Sequence, residues 1–340
     1  MSYSFHQSHL EQSEPVLVKA AFTLQYHLDK EPLHYVATRF TWPARSNSRS
    51  HLPAVSLLVT SGVGLTSDLW APVVQRLYQL QQQPDSPFCI ISVWAVDRPT
   101  HGDAAVLNEA SLKRYEGLCA STHYITALGA FLTSNVLTDQ ERNNLIGLGH
   151  SAGTGPLILQ IAKDLQWNPY RSLILVEPPL FEPETKPTFD GLIRKIHVLN
   201  MRRPRSFKSP ELAMQFVTSH GPWKYFHPEV LRIATETFFK PAPTDSGCNK
   251  VMTKTPPPEE TAAFDDFPGV LETVNRVLGF WPKPLAASLA NIIDENRSAL
   301  ASVSIVEGAT HYVPQEKPEE LANTVFRAIR NSTMRSQARL

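Results

Sequence analysis

The chain has 340 residues, enough for one large domain with an insertion or for two smaller domains. Its 32 Lys and Arg balance 32 Asp and Glu, which argues against nucleic acid or an anionic membrane surface as the main partner and favours small-molecule chemistry. The three cysteines, Cys89, Cys119 and Cys248, are odd in number and include no C-x-x-C pair, so they fit a reduced compartment without a zinc site and read as packing residues.

The amino terminus, "MSYSFHQSHLEQSEP", lacks the apolar segment of a signal peptide, and secretion is not expected. Two extended runs follow, "VLVKAAFTLQYH" and "LHYVATRFTW", and read as an antiparallel pair at a sheet edge. Short apolar runs rich in β-branched residues then alternate with segments of helical period, the pattern of an α/β protein whose mostly parallel sheet is wrapped by helices. The expected strands are 54–62 (AVSLLVTSG), 89–97 (CIISVWAVD), 144–151 (NLIGLGHS), 172–178 (SLILVEP) and 302–310 (SVSIVEGAT). The expected helices are "SDLWAPVVQRLYQLQQ", "SLKRYEGLCASTHYITALGAFLTS", "GTGPLILQIAKDL" and one beginning at "KPEELANTVFRAIRNS". No apolar run approaches the roughly 18 residues needed to cross a bilayer, so no membrane span is expected.

Residues 181 to 270 break the alternation with prolines at both ends and a helical middle. An insertion after a strand of such a sheet lies over the strand ends where ligands bind, which makes it a candidate lid. The division is therefore 1–180 for the first part of the core, 181–270 for the lid and 271–340 for the rest of the core with its tail. That tail ends in Ala338, Arg339 and Leu340, the small, basic, leucine pattern of a peroxisomal address.

The chemistry concentrates at "GHSAG", residues 149 to 153, where a buried-strand pattern gives way to helical spacing. G-x-S-x-G at a strand-to-helix turn raises its serine for attack, and the glycines remove side chains that would clash in so tight a bend. Ser151 is the expected nucleophile, with the amide of Ala152 directed at developing negative charge from the helix start. A serine hydroxyl needs a base. His311, after the last expected strand and just before a helix, fits the serine, acid, histidine order.

The acid is less determined, since "VNRVLGFWPKP" offers no carboxylate at its end. Glu177 closes the strand after the nucleophile's helix, 26 residues beyond Ser151, and is favoured, with Asp294 in reserve. The second oxyanion donor falls in "TSGVGLTSDLW", with the amide of Val63 favoured over that of Gly64. Asp97, His101 and Asp103 in "VDRPTHGDAAVLNE" read as loop-holding residues. Arg202, Arg203 and Arg205 read either as a solvated face or as partners for a substrate carboxylate or CoA phosphate. Phe216, Trp223 and Phe226 read either as an acyl pocket or as packing between lid helices.

With "SGVGLTSDLW", "VDRPTHGDAAVLNE", "GLGHSAGTGP", "LILVEPPL" and "GATHYVPQEKPEE" in this order, the chain resembles the α/β-hydrolase superfamily over nearly its whole length. More narrowly, "DRPTHGDAAVLN", "EPPLF" and the tail resemble fungal hydrolases of toxin and secondary-metabolite pathways. The resemblance implies an eight-stranded, mostly parallel sheet with the lid after strand 6, a serine nucleophile at 151, a histidine base at 311 and no cofactor or metal. It implies hydrolysis of an ester or acyl-CoA thioester in the peroxisome, with an import receptor as partner and the cytoplasm as the alternative location. Ser61 departs from the family, standing where a histidine is common. Two other functions share these residues: an acyltransferase using the same acyl-enzyme, and a non-catalytic binding protein on the same scaffold.

Overall fold

A computed structural model of the chain describes residues 17–28, 31–43, 51–114, 121–163, 166–243, 250–265, 283–298 and 300–337. Cys119, Cys248 and the tripeptide Ala338, Arg339, Leu340 lie outside the described residues. Cys89 is partly buried at the start of a strand.

The two early extended runs form β1 (Val18–Leu28) and β2 (Glu31–Thr41), paired antiparallel along their whole length. Along β1, Phe22, Leu24 and Tyr26 turn inward while Ala21, Thr23, Gln25 and His27 face out, the two-residue period of a half-solvated strand. The inner strands read differently. β3 (Ala54–Thr60) and β5 (Leu145–His150) are apolar nearly throughout because helices cover both faces of the sheet. With β4 (Cys89–Val96) and β6 (Ser172–Val176) they complete a six-stranded sheet in the order β1-β2-β4-β3-β5-β6. β4, β3, β5 and β6 run parallel, and β2 joins β4 antiparallel.

Alternate residues of β3 feed two cores. Val55, Leu57 and Val59 pack with α1 (Ala71–Gln81) and α9 (Pro318–Gln337) on one face. Leu58 packs on the other with Trp94, with Tyr124, Leu128 and Phe131 of α2 (Ser121–Thr133), and with Leu157 of α3 (Thr154–Lys163). Trp94 lies between the rings of Phe22 and Phe131, 5.3 Å from each, and so ties the edge hairpin to α2. Burying a side chain such as Leu57 or Leu58 contributes roughly 1.5–3 kcal/mol.

After β6 come α4 (Lys186–Arg202), α5 (Pro210–Thr218), α6 (Pro228–Thr237), α7 (Pro257–Asp265) and α8 (Lys283–Glu295). Prolines open them, as suits a first-turn position whose N–H has no intrahelical partner. Ser209 caps α5 through Leu212 N–H, and His227 Nδ1 caps α6 through Glu229 N–H. α4 and α7 pack on each other, and Phe181, Phe189, Ile193 and Ala263 join Val63 and Ala152 in one apolar cluster. These helices thus cover the carboxyl ends of β3 and β5.

Two expectations need correction. The sheet has six strands among the described residues, not eight. The strand expected over 302–310 is absent: residues 302–306 run outside any ladder, with Val303 and Ile305 38% and 72% exposed. The helix expected over 111–134 is helical at 109–114 and 121–133, and residues 115–120 lie outside the described residues.

No helix among the described residues is long and apolar enough to cross a membrane.

Candidate active site at the carboxyl ends of β3, β5 and β6

From β3 the chain moves to β4 on one side and then to β5 on the other, so the strand order reverses between β3 and β5. The loops leaving these two strands diverge and open a crevice at their carboxyl ends, where ligands bind in open α/β sheets. Both loops carry expected site residues, Val63 after β3 and Ser151 after β5.

β5 ends at His150, and the chain turns through a 3-10 turn, Ser151–Gly153, directly into α3. Ser151 has a φ of 52°, a left-handed conformation disfavoured for a residue with a side chain. The glycines on either side explain how the bend closes. A Cβ at Gly149 would lie 2.8 Å from Thr154 Cα, and one at Gly153 2.5 Å from the Thr60 carbonyl oxygen. Three donors hold the strained bend: Thr154 Oγ1 to the Ser151 carbonyl at 2.8 Å, Thr60 Oγ1 to Gly153 at 2.7 Å and Arg98 Nη2 to Ala152 at 3.0 Å. A strained residue persists only where its surroundings fix it from several sides.

His311 Nε2 lies 2.7 Å from Ser151 Oγ, within hydrogen-bond distance. His311 Nδ1 lies 3.5 Å from Glu177 Oε2. Glu177 follows β6 with a φ of 49°; it and Ser151 are the two non-glycine residues with positive φ among the described chain. The three expected residues thus meet above neighbouring strands. Burial pushes the His311 imidazole well below its ordinary range, which keeps it neutral and able to accept a proton. Burial, reinforced by the Glu316 carboxylate, pushes Glu177 up to about 9. Asp294, held in reserve, is not part of this group: its carboxylate is 72% exposed and faces Arg297 at 3.6 Å.

The loop after β3 comes close to the serine. A Cβ on Gly62 would lie 3.0 Å from Ser151 Cβ and crowd the serine, and Leu65 N–H closes the turn on the Gly62 carbonyl. The amides of Val63 and Ala152 belong to the two segments that flank Ser151. Ala152 opens a helix, where N–H groups lack intrahelical partners. Ser61, in the place of a common histidine, is buried and accepts from Trp70 Nε1 at 3.1 Å.

The loop-holding reading of Asp97, His101 and Asp103 agrees with their contacts. Asp97 accepts from Ser67 N–H and Oγ at 2.7 and 3.0 Å, His101 Nδ1 pairs with Thr100 Oγ1 at 2.9 Å, and Asp103 meets Lys254 at 2.6 Å. Arg202 and Arg205 are exposed, whereas Arg203 is bound to Glu260 at 2.7 Å beside Gly64. Phe216 packs on Phe207, and Trp223 and Phe226 join a helix-packing cluster with Phe238. Phe181, Phe189 and Ile193, which sequence reasoning did not single out, share an apolar cluster with Val63 and Ala152.

Sequence reasoning also passed over Glu316 and Arg98. Glu316 accepts from Thr310 N–H and Oγ1 at 2.6 and 2.5 Å and braces the loop that carries His311. Its signal was its place five residues after His311 at the end of a short helix.

A strand-turn-helix serine, a histidine from a late loop and a carboxylate at the next strand end, all on a mostly parallel sheet, define an α/β hydrolase. The chain belongs to the alpha/beta hydrolase family, whose model matches residues 57–324. Among solved structures it is similar to the peroxisomal alpha-beta-hydrolase Lpx1 of Saccharomyces cerevisiae, at 15% identity and a TM-score of 0.70 over 95% of this chain and 90% of that one. It is also similar to E-2-(acetamidomethylene)succinate hydrolase, at 17% identity and a TM-score of 0.60 over 91% and 99% of the two chains. A thioesterase domain from the curacin biosynthetic pathway matches at 14% identity and a TM-score of 0.56 over 91% and 99%. No curated protein sequence matches the chain.

Proposed function

We propose that the protein is a serine hydrolase that cleaves a carboxylic ester or an acyl-CoA thioester through an acyl-enzyme on Ser151. The observation that carries this reading is the 2.7 Å approach of His311 Nε2 to Ser151 Oγ, with Glu177 behind the imidazole. Ser151 Oγ attacks the substrate carbonyl carbon as its proton passes to His311. Glu177 stabilises the imidazolium, and the amides of Ala152 and Val63 receive the oxyanion. Collapse expels the alcohol or thiol, which takes the proton from His311. Water then attacks the acyl carbonyl with His311 again as base, releasing the acid and restoring the serine.

In this reading residues 181–270 act as a lid between the two parts of the core. Phe181, Phe189, Ile193 and Ala263, packed against Val63 and Ala152, favour an apolar acyl group. The terminal Ala338, Arg339 and Leu340 support delivery to the peroxisome by an import receptor. The resemblance of the "DRPTHGDAAVLN" and "EPPLF" segments to toxin-pathway hydrolases supports a substrate from secondary metabolism.

Fluorophosphonate labelling followed by peptide mapping tests the assignment. Label is expected on the peptide containing Ser151 and is expected to vanish in Ser151→Ala; label that survives the substitution names a different nucleophile.

A further inference from the structure

His150, the variable position of the G-x-S-x-G stretch, takes no part in the scheme above, yet its ring is wholly buried against both halves of the site. Its Nε2 lies 2.8 Å from the main-chain carbonyl oxygen of His311. A carbonyl only accepts, so Nε2 carries the proton and Nδ1 is the bare nitrogen. The Nδ1 edge faces the loop after β3, where a Cβ on Gly62 would lie 3.4 Å away. The ring centre is 5.3 Å from that of His311, and Trp70 meets it edge-on at 6.5 Å. Burial pushes its pKa down to about 4, so the ring stays neutral over the range in which a neutral His311 could act as base.

The loop that carries His311 needs such an anchor. Residues 302–306, which lead into it, pair with no strand among the described residues, and Val306 and Ala309 meet the core by side-chain packing. The Thr310 to Glu316 bonds brace the loop internally, and His227 N–H to the Gln315 carbonyl ties its far end to the helices after β6. Neither refers residue 311 to the nucleophile. The His150 bond does, because its donor is the residue next to Ser151.

We propose that His150 is a positioning residue, which fixes the main chain of His311 through the Nε2–H to carbonyl bond so that the His311 imidazole meets the Ser151 hydroxyl. One strand end then sets both members of the reacting pair. The inference rests on the reading of Ser151 and His311 as nucleophile and base.

The test exploits reach. A glutamine amide nitrogen stands about where the imidazole Nε2 stands, asparagine is one methylene too short, and phenylalanine keeps the ring volume without the donor. His150→Gln is expected to retain kcat within about threefold. His150→Asn and His150→Phe are expected to lose about 30-fold or more in kcat, with KM within about twofold, because an ångström of slack between reacting groups costs up to about a hundredfold. Phosphonylation of Ser151 by the fluorophosphonate is expected to slow in the same order. Asparagine and phenylalanine variants as fast as the unsubstituted protein overturn the proposal. So does a glutamine variant as slow as the asparagine one, which would assign the ring to packing alone. If His150→Phe does not fold, the glutamine and asparagine pair still decides. Failure of the underlying reading shows separately, as turnover or labelling that persists in Ser151→Ala.

Discussion

Ser151 and Glu177 both hold left-handed backbone, at 52° and 49°, and both close parallel strands that lie side by side. Each such residue costs about 1–3 kcal/mol, a strain that buys the aim of a hydroxyl and a carboxylate at one imidazole. Burial, with Glu316 nearby, disfavours the charge on Glu177. The imidazolium that forms when His311 takes the serine proton lies 3.5 Å from Glu177 and favours the carboxylate's charged form. Glu177→Gln is therefore expected to lower kcat by about 10³–10⁴ while leaving KM nearly unchanged. The same substitution is expected to stabilise the fold. The carboxyl titrates near 4.5 when unfolded and at about 9 when folded, so its contribution is complete below 4.5 and is lost as pH rises toward 9. At pH 8 thermal unfolding of Glu177→Gln is expected above that of the unsubstituted protein. A variant both active and no more stable would remove Glu177 from the role. Glu177 was legible in the sequence because it closes an apolar strand at the right remove from Ser151. His150 was not, since nothing in the order of residues reveals a side chain reaching the carbonyl of one 161 positions away.

At the level of elements, the turn from β5 to α3 depends on glycines more than on its serine. A methyl at Gly153 would have to occupy space 2.5 and 2.7 Å from the carbonyl oxygens of Thr60 and Ser61, which are backbone and cannot swing aside. Gly153→Ala is expected to destabilise the protein by about 1–3 kcal/mol in denaturant unfolding, and to lower turnover by shifting the amide of Ala152. An unchanged midpoint would contradict the packing described here. This junction was readable because period and glycine spacing agreed. The strand expected over 302–310 was misread because its β-branched residues resemble a buried run, whereas burial also requires a neighbouring strand to pair with. β6, the last strand on that side among the described residues, is itself only half-buried over Ser172–Leu175.

For the whole molecule, the α/β architecture followed from alternating apolar periods, and the position of the site followed from the reversal of strand order between β3 and β5. What covers the site was legible only in outline: proline-bounded helices over 181–270 were expected, but not that Phe189 and Ile193 rather than Phe216 and Trp223 would face Val63 and Ala152. Helical period gives a buried face without naming its neighbour. The carboxyl-terminal tripeptide makes a separate prediction at this scale. A fluorescent fusion that ends in Ala338, Arg339 and Leu340 is expected to give peroxisomal puncta, and deletion of the three residues is expected to disperse them; puncta that persist would remove the tripeptide as the address. The most direct measurement is rapid acid quench of the protein with a slowly hydrolysed aryl ester, followed by mass analysis of its peptides. One acyl group is expected on the peptide that contains Ser151 and none in Ser151→Ala; an acyl group on another residue, or turnover with no acylated intermediate in either protein, would rule out an acyl-enzyme on Ser151.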